Sequence, residues 1–122
     1  MNKDIKKLWV DALLSGDYEQ GYHRLKNPND KFCCLGVLCD VHLKLYPENK
    51  WVVNEIITKD YCESHEYMGC GSYLPDDVKV WSGLYDETYS VVINGQNAAL
   101  ARHNDSYKQS FKEIAHAIDE QL

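Results

Sequence analysis

The chain lacks most of the features that announce a function directly. No apolar run approaches the roughly 18–20 residues a bilayer-spanning helix needs, so no membrane role is expected. No basic run is longer than Lys6-Lys7, and 13 Lys and Arg stand against 19 Asp and Glu for a formal net charge of −6. That balance repels phosphates and argues against nucleic acid as a partner. The acids come as scattered pairs (Asp76-Asp77, Asp86-Glu87, Asp119-Glu120) rather than as the dense face of a nucleic-acid mimic. No Cys-x2-Cys or His-x3-His unit signals structural zinc. Gly69-Cys70-Gly71 lacks the Lys-Ser/Thr that completes a phosphate-binding loop. Low-complexity stretches, internal repeats and linkers are missing too, so residues 1–122 read as one domain.

What is present is ordinary for a globular chain, with 44% hydrophobic and 26% charged residues, enough to bury a core. Met1 to Lys7 runs into an amphipathic pattern without an apolar signal segment. The five cysteines are odd in number, and Cys33, Cys34 and Cys39 sit in the most apolar stretch. Free thiols behave there as small hydrophobes, which points to a reducing, cytoplasmic setting.

Hydrophobic spacing sets out the elements. Ile5, Leu8, Trp9 and Ala12 define a first helix over 2–15, capped by Asn2 and stopped by Gly16. Tyr18–Leu25 reads as an irregular strand before the Asn27-Pro28-Asn29-Asp30 turn. Phe32–Leu45 is nearly continuous in apolar residues and too long for a strand, so it predicts a buried central helix starting near Asp30 and ended by Pro47. Trp51–Val53 and Ile56-Ile57 suggest short strands, and Lys59–Tyr73 a loop. Pro75 opens a short helix that Gly83 stops. Thr88–Ile93 and Gln96–Leu100 flank Asn94-Gly95 as a hairpin. Ser110 and Glu113 form a capping box for a final helix with Phe111, Ile114, Ala115 and Ile118 as its apolar stripe. Together these predict an α+β fold: a small antiparallel sheet packed on a buried central helix, flanked by the terminal helices.

Three segments carry a resemblance: Trp9–Leu13 with Ser15–Gly21, then Phe32-Cys33-Cys34-Leu35-Gly36-Val37-Leu38-Cys39-Asp40, then Asn104-Asp105 with Ser110–Ala115 and Ile118. Leu74-Pro75 and Trp81–Leu84 link them. The chain resembles a family of small, uncharacterised proteins of tailed bacteriophages and prophages. The resemblance implies a phage origin and action in the host cytoplasm, and no reaction. His103 stands where the family pattern leads one to expect an apolar residue, and Tyr107 near an expected glycine.

Three constellations could carry chemistry. Cys34, near a helix N-terminus, could be the nucleophile of a cysteine-dependent hydrolase or transferase, with His23, His65 or His103 as base and Asn104 or Asp105 as orienter. The same cysteines also read as packing residues, with Gly36 admitting a neighbouring element. Cys62, His65 and Cys70 are zinc-type ligands at irregular spacing, which equally suits an incidental loop, and no cofactor is called for. Gln20, Tyr22 and Arg24 precede the central helix, while Asn104, Asp105 and Tyr107 precede the last one. If those two segments meet, two helix N-termini open side by side and favour an anion, with Arg24 as a forked donor and tyrosines as flat contact area.

The absence of a familiar catalytic signature and the nine tyrosines favour binding over catalysis. The expectation is an accessory protein that occupies a host immune protein, or a small anionic signal such as a nucleotide. A virion structural or assembly role is the other alternative, although no self-assembling edge or long coiled coil is evident. A homo-oligomer is left open.

Overall fold

The computed structural model describes residues 1–56, 62–85 and 89–122. In chain order these form α1 (Lys3–Leu14), β1 (Glu19–Gln20), β2 (Lys31–Phe32), α2 (Cys34–Leu45), β3 (Val52–Ile56), β4 (Cys62–Glu66), α3 (Asp76–Ser82), β5 (Ser90–Ile93), β6 (Gln96–Ala99), α4 (Leu100–Asp105) and α5 (Phe111–Gln121). The class is α+β, as the sequence predicts. The strands pair as three two-stranded ribbons: β3 with β4 and β5 with β6 antiparallel, β1 with β2 parallel.

α2 is the centre. Cys34 to Cys39, Val41 and His42 are all buried, so the helix has no wet face over its first two turns. A Cβ on Gly36 would collide with the Leu25 carbonyl, so glycine is what lets the segment before β2 lie against the helix. α1 packs on α2 and α5 through Ile5, Trp9, Val10 and Leu13. Trp9 is wholly buried, and its indole Nε1 donates to the Cys34 carbonyl at 2.9 Å. A buried indole N–H without such an acceptor would carry a desolvation cost of about 1–3 kcal/mol.

Several local readings hold. The Asn2 side chain accepts from the Asp4 and Ile5 amides, and Gly16 is left-handed. Asn94 and Gly95 both take positive φ between β5 and β6, as a tight hairpin turn requires. Ser110 and Glu113 make both capping-box hydrogen bonds.

Other readings need correction. α2 begins at Cys34 rather than near Asp30, because Asn27 closes the preceding loop on itself. Its Oδ1 accepts from the Asn29 and Lys31 amides, and its own N–H donates to the Lys31 carbonyl. Phe32 is therefore held in β2, and Cys33 becomes the cap, its Sγ accepting from the Gly36 amide. Only Glu19–Gln20 of the expected Tyr18–Leu25 strand pairs. Cys62–Glu66 is a strand rather than a loop, selected by its ladder to β3 and by the hydrogen bond from Asn54 Nδ2 to Glu66 Oε2 at 2.8 Å. Ile57 and Thr88, read as strand residues, lie outside the described residues. Leu100–Asp105 forms α4, where the sequence reading ran a strand into a loop.

Candidate functional site

The segment after α1 and the segment around α4 meet, and three side chains join them. Asn104 is fully buried. Its Oδ1 accepts from Gln20 Nε2 at 2.9 Å and from the Cys34 amide at 3.3 Å. Its Nδ2 donates to the Gly21 carbonyl at 2.9 Å and to Asp105 Oδ1 at 2.7 Å. Gln20 Nε2 also donates to the Gln109 carbonyl at 2.7 Å. Asp105 Oδ1 in turn accepts from the His23 amide at 2.9 Å. Asn104 thus uses all four of its hydrogen-bonding directions inside the chain. His23 takes a positive φ of 67°, an uncommon conformation for a residue with a side chain. The seam holds it there.

This arrangement redistributes the expected roles. The two segments are adjacent, but the helix ends behind them are partly closed. Asn104 Oδ1 and Cys33 Sγ take the Cys34 and Gly36 amides of α2, and the capping box takes the Ser110 and Glu113 amides of α5. Asn104 cannot reach a ligand because it is buried, and the Gln20 amide is spent on the seam. Tyr22, Arg24, Asp105 and Tyr107 remain at least partly exposed. Lys108 Nζ lies 5.2 Å from the Tyr22 ring centroid, and the Arg102 guanidinium 5.4 Å from that of Tyr107, so both rings carry a cation of the same seam. Arg24, half-exposed, has no hydrogen bond or ion pair among the described residues.

Beside the seam lies a cleft of about 370 Å³. His23 and Asp105 line it from the seam, Ser72 and Tyr73 from the stretch before α3, and Leu35, Ala99 and Ala101 give it apolar surface. The Leu25 amide donates to the Gly71 carbonyl at 2.9 Å, which fixes that stretch against the seam. Tyr73 was among the tyrosines read as contact area from the sequence, while Ser72 went unnoticed.

The cysteines are packed rather than poised. Cys33, Cys34 and Cys39 are buried, and burial pushes the Cys33 thiol up to about 12 and those of Cys34 and Cys39 well above the ordinary range. The hydrogen-bond partner of Cys34 Sγ is the Leu100 carbonyl at 3.8 Å rather than an imidazole. His103, offered as a base, is wholly buried with Nε2 2.8 Å from the Val91 carbonyl. It fills the apolar position and ties α4 to β5. A thiolate in that place would be strongly disfavoured.

His65 is buried, with Nε2 3.7 Å from Glu63 Oε2, while the Cys62 side chain lies outside what is described. Among the described residues no three His, Cys, Asp or Glu side chains gather as metal ligands. None of the described helices is long and apolar enough to cross a membrane.

A family model described as a domain of unknown function, DUF8296, matches residues 1–122. The chain belongs to that family. No curated protein matches the chain, and no solved structure does either. The chemistry has to be read from the site itself.

Proposed function

We propose that this protein acts by binding another protein, and that the seam between residues 18–27 and 102–109, with the cleft beside it, is the recognition surface. The observation that carries the reading is the pinning of that surface. Gln20, Asn104 and Asp105 fix it with hydrogen bonds that centre on the buried Asn104 side chain, so exposed Tyr22, Tyr107 and Tyr73 are offered from backbone that is already ordered. Preorganised aromatic surface loses little entropy on association, and tyrosine supplies area and a hydroxyl together.

The likeness of the Phe32–Asp40 string to tailed-phage proteins supports a phage-encoded accessory factor acting in the host cytoplasm, one that occupies a host immune protein. A nucleotide signal is the less favoured occupant, because several of the helix-end donors that would hold its phosphates, those of Cys34, Ser110 and Glu113, are committed within the chain. The burial of Cys34 weighs against the cysteine-hydrolase reading in the same way.

The test is comparative capture from infected cells with tagged wild type and the variants Arg24→Ala, Tyr22→Ala and Tyr107→Ala, each first shown to be folded. Lys7→Ala on α1, an exposed residue, is the control. The seam variants are expected to lose a partner that wild type and the control retain. Equal capture by all four variants would put the recognition surface elsewhere.

A further inference from the structure

The cleft has a chemistry of its own, and among the described residues Asp105 and His23 are the acid and the imidazole that line it. The two oxygens of Asp105 differ. Oδ1 is saturated by the His23 amide and Asn104 Nδ2. Among the described residues Oδ2 has only the His23 Nδ1 atom as a polar partner, at 3.9 Å, beyond hydrogen-bond reach, and the side chain keeps 21% of its surface. A held carboxylate thus presents one unspent acceptor to the cleft.

Tyr73 is the second observation. Tyr18, Tyr22 and Tyr107 each have a lysine or arginine of this chain over the ring. Tyr73 is 66% exposed and has no such cation among the described residues. Its ring face is open. A fixed carboxylate oxygen, an open phenol ring and a small apolar lining from Leu35, Ala99 and Ala101 suit a flat or compact cation on an aliphatic stem. The net charge of −6 draws such a group toward the molecule.

We infer that this cleft takes the guanidinium or ammonium group of an arginine or lysine side chain presented by the partner, paired with Asp105 Oδ2 and stacked on Tyr73. Arginine is the better occupant, because its planar head can lie on the ring while its edge donates to the carboxylate. The inference rests on the binding reading above and names the group recognised.

The probe is acetyl-arginine amide, titrated into isotope-labelled protein at about pH 8, where imidazoles are uncharged. Its neutral isostere acetyl-citrulline amide and adenosine monophosphate are run beside it. Saturable shifts are expected at Ser72, Tyr73, Ala101 and Asp105 with the arginine probe, and binding at least about ten-fold weaker with citrulline, the size of one charge-assisted hydrogen bond. Asp105→Asn keeps an acceptor for both Oδ1 hydrogen bonds and removes the charge, so it should weaken the arginine probe by a similar factor. Tyr73→Ala, at an exposed position, should weaken it several-fold even if Asp105→Asn proves unstable. Saturable binding of the monophosphate alone, equal response to citrulline, or no response to arginine would each overturn the inference. If arginine fails while the seam variants still lose their partner, the inference falls and the wider reading stands. If arginine binds while capture ignores every seam variant, the wider reading falls instead.

Discussion

The two ends of α2 are anchored by opposite means. At the N-terminal end, neutral amides do the holding: Asn104 and Gln20 link the first turn to Gly21 and Gln109. At the C-terminal end, His42 sits among aromatic rings, 4.8 Å from Tyr46, 4.9 Å from Trp81 and 5.7 Å from Tyr67 between centroids. Its ring Nδ1 is hydrogen-bonded to Tyr67 Oη, at 2.6 Å. Amides do not titrate, so these four hydrogen bonds are themselves indifferent to pH, although the Asp105 carboxylate joins the same seam. An imidazole in an apolar ring cluster is not indifferent, because burial penalises its charged form.

Breaking the N-terminal anchor should give the largest effect. Asn104→Ala would leave the Cys34 amide and the Gly21 carbonyl without their partner in a dry place, and Gln20 Nε2 with the Gln109 carbonyl alone. Two buried unsatisfied backbone groups imply a loss of about 3–4 kcal/mol. Denaturant unfolding measures it, and a loss under about 1 kcal/mol would mean that water replaces the amide at little cost. Partner binding should fall with it, since the seam loses its fixed shape.

Acid should act on the other end. Burial lowers the His42 pKa from its ordinary value, against the opposing pull of Asp77 and Glu48. The unfolded chain therefore binds that proton more readily than the folded one, and stability must rise with pH through the titration. It should be fully present above about pH 6.5, the unfolded value, and decline as pH falls below it. His42→Phe should flatten the slope between about pH 7 and 5.5, whatever it does to absolute stability. An unchanged slope in that variant would assign the acid sensitivity to other groups.

The same contrast explains what the sequence disclosed. Terminal helices, hairpin and capping box are local grammar: a period, a cap, a turn pair. Each is complete within about a dozen residues, and each is found where its signals lie. The seam is different. Asn104 looked like a turn residue because asparagine usually is one. Its buried role depends on Gln20, 84 positions away. Leu100, His103 and Asn104 did carry a legible sign, since their i, i+3, i+4 spacing is the buried face of α4. The polar character of the last two hid it. β4 was missed for a related reason, because Cys62–Glu66 has no alternating pattern and owes its form to the β3 ladder. Adjacency of the two segments could be framed as a condition, but only the folded chain reveals that Asn104 closes the helix end it was expected to leave open.

The smallest effect sharpens the contrast further by locating a proton. The distance of 2.6 Å between His42 Nδ1 and Tyr67 Oη is short for an N–H donor and ordinary for an O–H donor. We assign the phenol as donor to a neutral imidazole, and burial, which raises the Tyr67 pKa, favours that proton on the phenol oxygen. Tyr67→Phe should cost about 1 kcal/mol near neutral pH, the net worth of one hydrogen bond. It should also reduce the acid slope, because the neutral form of His42 loses the partner that favoured it. If the ring nitrogen were the donor, the charged form would lose the same bond as the neutral one, and the slope would stay as steep as in wild type. Paired unfolding curves at about pH 7 and pH 5.5 separate the two cases, and a full slope in Tyr67→Phe would reverse the assignment of donor and acceptor.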